Sequence, residues 1–152
     1  MRGGRGTIVR IGIVEDDTVM AWLLEEVCRT SGHQIVGTAP AAGEAIPLLE
    51  RERPDCLLLD YMLDGDRDGL ELLRQAKGIL PSLFTIMITA WDVNDIAGRM
   101  GVIQPDRILR KPIHTDTLVT ILNGAGQRRV FGGTAHRVAL PAYDFHFRPN
   151  FA

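Results

Sequence analysis

The sequence predicts an α/β domain, a five-stranded parallel sheet with helices on both faces. Two observations carry this expectation. Short apolar runs alternate with segments of helical period from residue 8 to about residue 123. That is the pattern of successive βα units joined by right-handed crossovers. Four of the runs also end in polar residues of different chemistry. Residues 8–14 run into Glu15-Asp16-Asp17, 56–59 into Asp60, 83–88 into Thr89, and 107–110 into Lys111-Pro112. Parallel strands would gather these groups at one edge, where open α/β sheets bind and react.

The elements follow in order. Ile8, Ile11, Ile13 and Val14 read as a buried first strand. A helix starts at Thr18, with Val19, Leu23, Leu24 and Val27 on its inner face and Gly32 near its stop. Residues 34–38 form a short strand. Residues 41–51 form a helix, although Pro47 opposes a clean interior. Residues 56–59 are the most apolar strand and take a central position. Residues 64–68, Asp-Gly-Asp-Arg-Asp, read as a loop. Residues 69–78 are helical, with Leu70, Leu73 and Ala76 inward. A strand at 83–88, a short weak helix at 92–100, a strand at 107–110 and a closing helix at 115–122 complete five βα units.

Size and composition fit one domain of about 120 residues with short flanking segments, residues 1–6 being a flexible N-terminus. The net charge of −2 argues against direct, non-specific DNA binding. Residues 1–123 carry 13 Lys and Arg against 18 Asp and Glu, whereas residues 124–152 carry four Arg and one Asp. Cys28 and Cys56 fall inside a helix and a strand, as buried thiols of a reducing compartment do. The first apolar run is too short to span a membrane, so the expected location is cytoplasmic.

The candidate site is acidic. A helix cap needs one acid; three at a strand end repel one another unless a cation sits there. Asp17 suits the cap, which leaves Glu15 and Asp16 for a metal. Asp60 ends the most buried strand, where a carboxylate is costly without a partner; the candidates are the metal and Lys111. A cis Lys111–Pro112 bond would aim the ammonium back over the sheet edge.

Together these residues resemble the receiver domain of bacterial two-component response regulators. The matching segments are Ile13-Val14-Glu15-Asp16-Asp17, Pro54-Asp55-Cys56-Leu57-Leu58-Leu59-Asp60, Asp68-Gly69-Leu70-Glu71-Leu72, Ile88-Thr89-Ala90 and Arg110-Lys111-Pro112, within residues 7 to about 123. The resemblance implies a flavodoxin-like (βα)5 three-layer sandwich with strand order 2-1-3-4-5. It implies Asp60 as phosphoacceptor, and Mg²⁺ held by Glu15, Asp16, Asp60 and the carbonyl of Met62. Thr89 and Lys111 would contact the phosphoryl group, donated by a histidine kinase or a histidine phosphotransfer protein. The domain would phosphorylate and dephosphorylate itself without turning over a separate substrate. A non-phosphorylated pseudo-receiver that serves as a binding scaffold is the alternative. A phosphatase of the haloacid dehalogenase type would want a second Asp where Met62 stands, and three acids would repel a flavodoxin's flavin phosphate.

Three departures from that family matter. The loop after Asp60 is one residue longer and lacks the usual Pro. The switch position, three residues before Lys111, is Ile108 rather than an aromatic. The helix after Thr89 is short and interrupted by Gly98 and Gly101. Met62 and Trp91 stand two residues after Asp60 and Thr89, positions that by the resemblance flank the phosphoryl's exposed side and tune its lifetime; both are apolar, which predicts slow hydrolysis. After Gly124 the helical period fails, so residues 124–152 read as a Gly-, Arg- and aromatic-rich tail with no output domain. Five of the nine aromatics lie between residues 131 and 151, a composition that favours docking of residues 140–151 on the body or on the partner of a homodimer.

Overall fold

The computed structural model describes residues 6–63 and 67–130. Five strands, β1 (Arg10–Val14), β2 (Gln34–Ala39), β3 (Cys56–Asp60), β6 (Phe84–Thr89) and β7 (Arg107–Arg110), form one sheet of order β2-β1-β3-β6-β7. All four pairings are parallel. Setting aside a small hairpin, β4 (Met62–Leu63) with β5 (Arg67–Asp68), this is the expected 2-1-3-4-5 order.

The central place of β3 follows from its composition. Leu57, Leu58 and Leu59 are fully buried, each burial contributing about 1.5–3 kcal/mol. Strand alternation sends Leu57 and Leu59 into one core, with Leu48, Leu73, Met87 and Ile108. Cys56 and Leu58 enter the other, with Leu24, Ile86, Leu118 and Leu122. The helices α2 (Ala42–Glu52) and α3 (Gly69–Ile79) contribute to the first core; α1 (Thr18–Thr30) and α5 (Thr115–Val130) contribute to the second. Cys28 and Cys56 are buried free thiols, and burial pushes Cys28 up to about 12.

Several boundaries differ from the expectation. The first strand starts at Arg10, because the Val9 N–H donates to His33 Nδ1 (3.1 Å) and Ile8 is exposed. In α1 the buried residues are Ala21, Leu24 and Cys28, while Val19 is 74% exposed and Leu23 also faces out. At 3.6 residues per turn Val19 lies about 140° around the helix from Leu24, beyond the arc the sheet covers. Leu70, Leu73 and Ala76 of α3 are buried as expected. In α2, Pro47 is tolerated mid-helix: Pro47 and Gly43, whose carbonyl it deprives of the i+4 N–H, are both exposed, which leaves that carbonyl open to solvent.

The stretch read as a loop at 64–68 ends in a strand. Arg67 and Asp68 pair antiparallel with Leu63 and Met62. The helix after Thr89 is α4 (Val93–Ala97), shorter than expected and capped by Asp92, whose carboxylate accepts from Asn94 N–H (2.8 Å). The closing helix corrects the reading of a tail from residue 124. It runs through Gly124 and Gly126 to Val130. A Cβ at Gly126 would lie 2.7 Å from the Thr7 carbonyl oxygen, so the glycine that weakens the helical pattern is what lets the N-terminal segment cross α5. The docking expected of residues 140–151 and the flexibility expected of residues 1–5 lie outside the described residues.

Candidate functional site

At the C-terminal edge of β1 and β3, a cleft of about 450 Å³ is lined by Glu15, Asp16, Asp17, Asp60, Met62, Ala90 and Lys111. The fold places each from a strand end. β1 delivers the three acids, of which Asp17 caps α1 by accepting from Val19 and Met20 N–H (2.9 and 3.0 Å). β3 delivers Asp60, 4% exposed, whose Oδ1 accepts from Met62 N–H (3.1 Å). β7 delivers Lys111, whose N–H donates to the Thr89 carbonyl (2.7 Å) and whose bond to Pro112 is cis. Its Nζ lies 3.3 Å from Asp60 Oδ2 and 3.8 Å from Glu15 Oε2.

Glu15 is the strained member of the set. It is 2% exposed; Oε1 accepts from Asp17 N–H (3.1 Å), but Oε2 is buried with no hydrogen-bond partner. Burial above all, then the neighbouring Asp60 carboxyl, push its carboxyl up to about 8, against the opposing pull of Asp17 N–H and Lys111. One ammonium therefore faces more carboxylate than it can neutralise. Glu15, Asp16 and Asp60 each offer one oxygen, all within 4.8 Å of one another. Hard oxygens at this spacing, one without a partner, fit a hard divalent cation such as Mg²⁺.

Thr89 is one step removed. It is fully buried, and its Oγ1 accepts from Trp91 N–H (2.9 Å). Met62 and Trp91 are both 46% exposed, Met62 lining the cleft and Trp91 following Ala90. Ile108 is fully buried in the core beside β6. Two residues with a place here, Tyr61 and Arg99, escaped the sequence reading. Tyr61 is 2% exposed, stacks edge-on against Trp91 (ring centroids 6.5 Å apart) and accepts from Arg99 Nη1 (3.3 Å). Its position next to Asp60 is visible in the sequence, but its partners lie on loops about 30 and 40 residues away.

The Response regulator receiver domain family matches residues 11–123. The chain belongs to that family. It is 35% identical over 130 residues to the "Probable transcriptional regulatory protein TcrX" of Mycobacterium tuberculosis, covering 84% of this chain and 54% of that protein. It is 32% identical over 105 residues to the sporulation initiation phosphotransferase F of Bacillus subtilis, covering 69% of this chain and 78% of that one. Among solved structures, a CheY-like receiver domain protein from Methanospirillum hungatei superposes with a TM-score of 0.71 at 26% identity, over 83% of this chain and all of that one. The chain spans about half the length of several curated relatives it matches. It is thus a response regulator receiver domain of two-component signalling, a family whose general role is to accept a phosphoryl group. No helix among the described residues is long and apolar enough to cross a membrane.

Proposed function

We propose that Asp60 is the phosphoacceptor of a cytoplasmic receiver that takes its phosphoryl group from a histidine kinase or a histidine phosphotransfer protein and switches protein–protein contacts. The observation that carries this reading is the Asp60 carboxylate, buried at a strand end, 3.3 Å from Lys111 Nζ and grouped with the unpartnered oxygen of Glu15. An Asp60 oxygen attacks phosphorus, the P–N bond to the donor imidazole breaks with its electron pair returning to nitrogen, and an acyl phosphate results. Glu15, Asp16, Asp60 and the Met62 carbonyl would hold Mg²⁺, which when bound supplies charge neutralisation for the incoming phosphoryl oxygens. Lys111 neutralises a phosphoryl oxygen in place of its present contact with Asp60, and the Thr89 hydroxyl donates to another. Hydrolysis returns the carboxylate and releases phosphate, with no separate substrate turned over. Met62 and Trp91 place apolar surface where water must approach, which slows that return.

Intact mass after incubation with acetyl phosphate tests the reading. A gain of one phosphoryl, about 80 Da, is expected with Mg²⁺, none with EDTA, and none in Asp60→Asn. No gain in the wild-type chain from acetyl phosphate or a phosphohistidine donor would favour a pseudo-receiver scaffold.

A further inference from the structure

Arg99, just beyond the far end of α4, is tied to Thr89 through two aromatic rings. Arg99 Nη1 donates to the Tyr61 hydroxyl (3.3 Å), and the Tyr61 ring meets Trp91 edge-on at 6.5 Å, an attractive geometry for an aromatic pair. The Trp91 N–H donates to Thr89 Oγ1 (2.9 Å). The Tyr61 backbone is anchored, its N–H donating to the Ile88 carbonyl (2.8 Å) and its carbonyl accepting from Gly69 N–H, while its ring belongs to the core cluster of Val93 and Ile96. Ile108, buried in that same core, has no polar atom to exchange with Thr89.

We infer that Tyr61 and Arg99 are positioning residues, which couple the rotamer of the Thr89 hydroxyl to the segment 96–103 through Trp91. The inference rests on Asp60 being the phosphoacceptor. A phosphoryl group there offers the hydroxyl a charged acceptor, stronger than its present environment. Rotation of Oγ1 toward it removes the acceptor of the Trp91 N–H, so the turn at Ala90–Trp91 resettles. The Trp91 ring moves with its backbone, and the edge-on pair carries the change to Tyr61 and Arg99. The segment beyond Arg99 presents a surface able to register it: Val102 is fully exposed and Ile103 is 38% exposed, while Met100 packs partly on the core. In this chain, then, the phosphoryl signal passes through the residue after Asp60 instead of through the position of Ile108.

The test uses the full chain with Trp22→Phe, which removes an exposed tryptophan on α1 and leaves Trp91 as sole reporter. Three readouts are taken with acetyl phosphate and Mg²⁺: intact mass, Trp91 emission, and amide exchange across residues 96–103. In this parent, phosphorylation is expected to shift Trp91 emission and change exchange at 96–103 several-fold. Arg99→Gln and Tyr61→Phe should phosphorylate to the same extent and retain the emission shift, because the ring pair survives. Their exchange change at 96–103 should fall at least twofold short of the parent's. Tyr61→Leu should lose both signals; because it opens the core, the two milder variants decide the matter. A merely structural role would lower the melting temperature and leave the exchange change intact. Phosphorylation with an unmoved Trp91, or an exchange change equal in parent, Arg99→Gln and Tyr61→Phe, overturns the inference alone. Failure of Asp60 to take up phosphoryl overturns the functional reading, and the inference with it.

Discussion

Mg²⁺ binding to this chain should release a proton, and the proton comes from Glu15. The Glu15 carboxyl, pushed up to about 8 by burial and by Asp60, has an ordinary value of 4.5. At pH 7 it is therefore held mostly protonated in the cation-free protein, and ionising it has a cost that a bound cation must offset. A divalent cation needs the carboxylate, so binding should expel most of one proton per ion at pH 7. Apparent affinity should rise by nearly tenfold per pH unit below about pH 7, more slowly through about pH 8, and then flatten. The sign for stability is opposite. A raised carboxyl contributes stability that is full below pH 4.5 and lost as pH climbs through about 8, so the cation-free chain should soften over that window. Adding Mg²⁺ should restore it most at the alkaline end. Calorimetric titration at pH 7 in two buffers of different ionisation enthalpy counts the proton directly. Glu15→Gln should abolish both the proton release and the pH slope of stability. Affinity that is flat between about pH 6 and 8, with under about 0.3 proton released, would refute the argument that burial holds this carboxyl protonated.

Other outcomes rest on single contacts. Gly69→Ala would set a Cβ 2.5 Å from the Asp60 carbonyl oxygen and 3.0 Å from Tyr61 Cα, backbone that has nowhere to go; a loss of about 1–3 kcal/mol is expected by urea unfolding, together with slower phosphorylation. His33→Phe leaves the Val9 N–H without its acceptor and Asn123 Oδ1 without its partner; this should cost about 1–3 kcal/mol, while acetyl phosphate still modifies Asp60, and a neutral result would show that water replaces the imidazole. Met62→Asn with Trp91→Glu puts polar groups beside the phosphoryl and should hasten its loss, followed by mass against time after removal of the donor; unchanged or slower loss would count against apolar shielding.

Local patterning determined much of this protein. The alternation of apolar runs with helical periods decides the βα order, since a buried parallel strand must be apolar on both faces, and Leu57-Leu58-Leu59 leaves no other role. Spacing alone also put Glu15, Asp16, Asp60 and Lys111 at strand ends, and a parallel sheet brings strand ends together whatever the loops do. Where the pattern misled, a contact distant in sequence was responsible. Gly124 and Gly126 read as a helix stop, yet α5 continues because Thr7 packs where a side chain would have been. Val19 and Leu23 read as core, yet only tertiary packing decides how wide an arc of α1 the sheet covers. The orphaned oxygen of Glu15 and the chain from Thr89 through Trp91 and Tyr61 to Arg99 depend on side-chain directions and on loops meeting across the sheet edge. No period in the sequence encodes such meetings, because the residues involved obey no common spacing and come together only after the strands are paired.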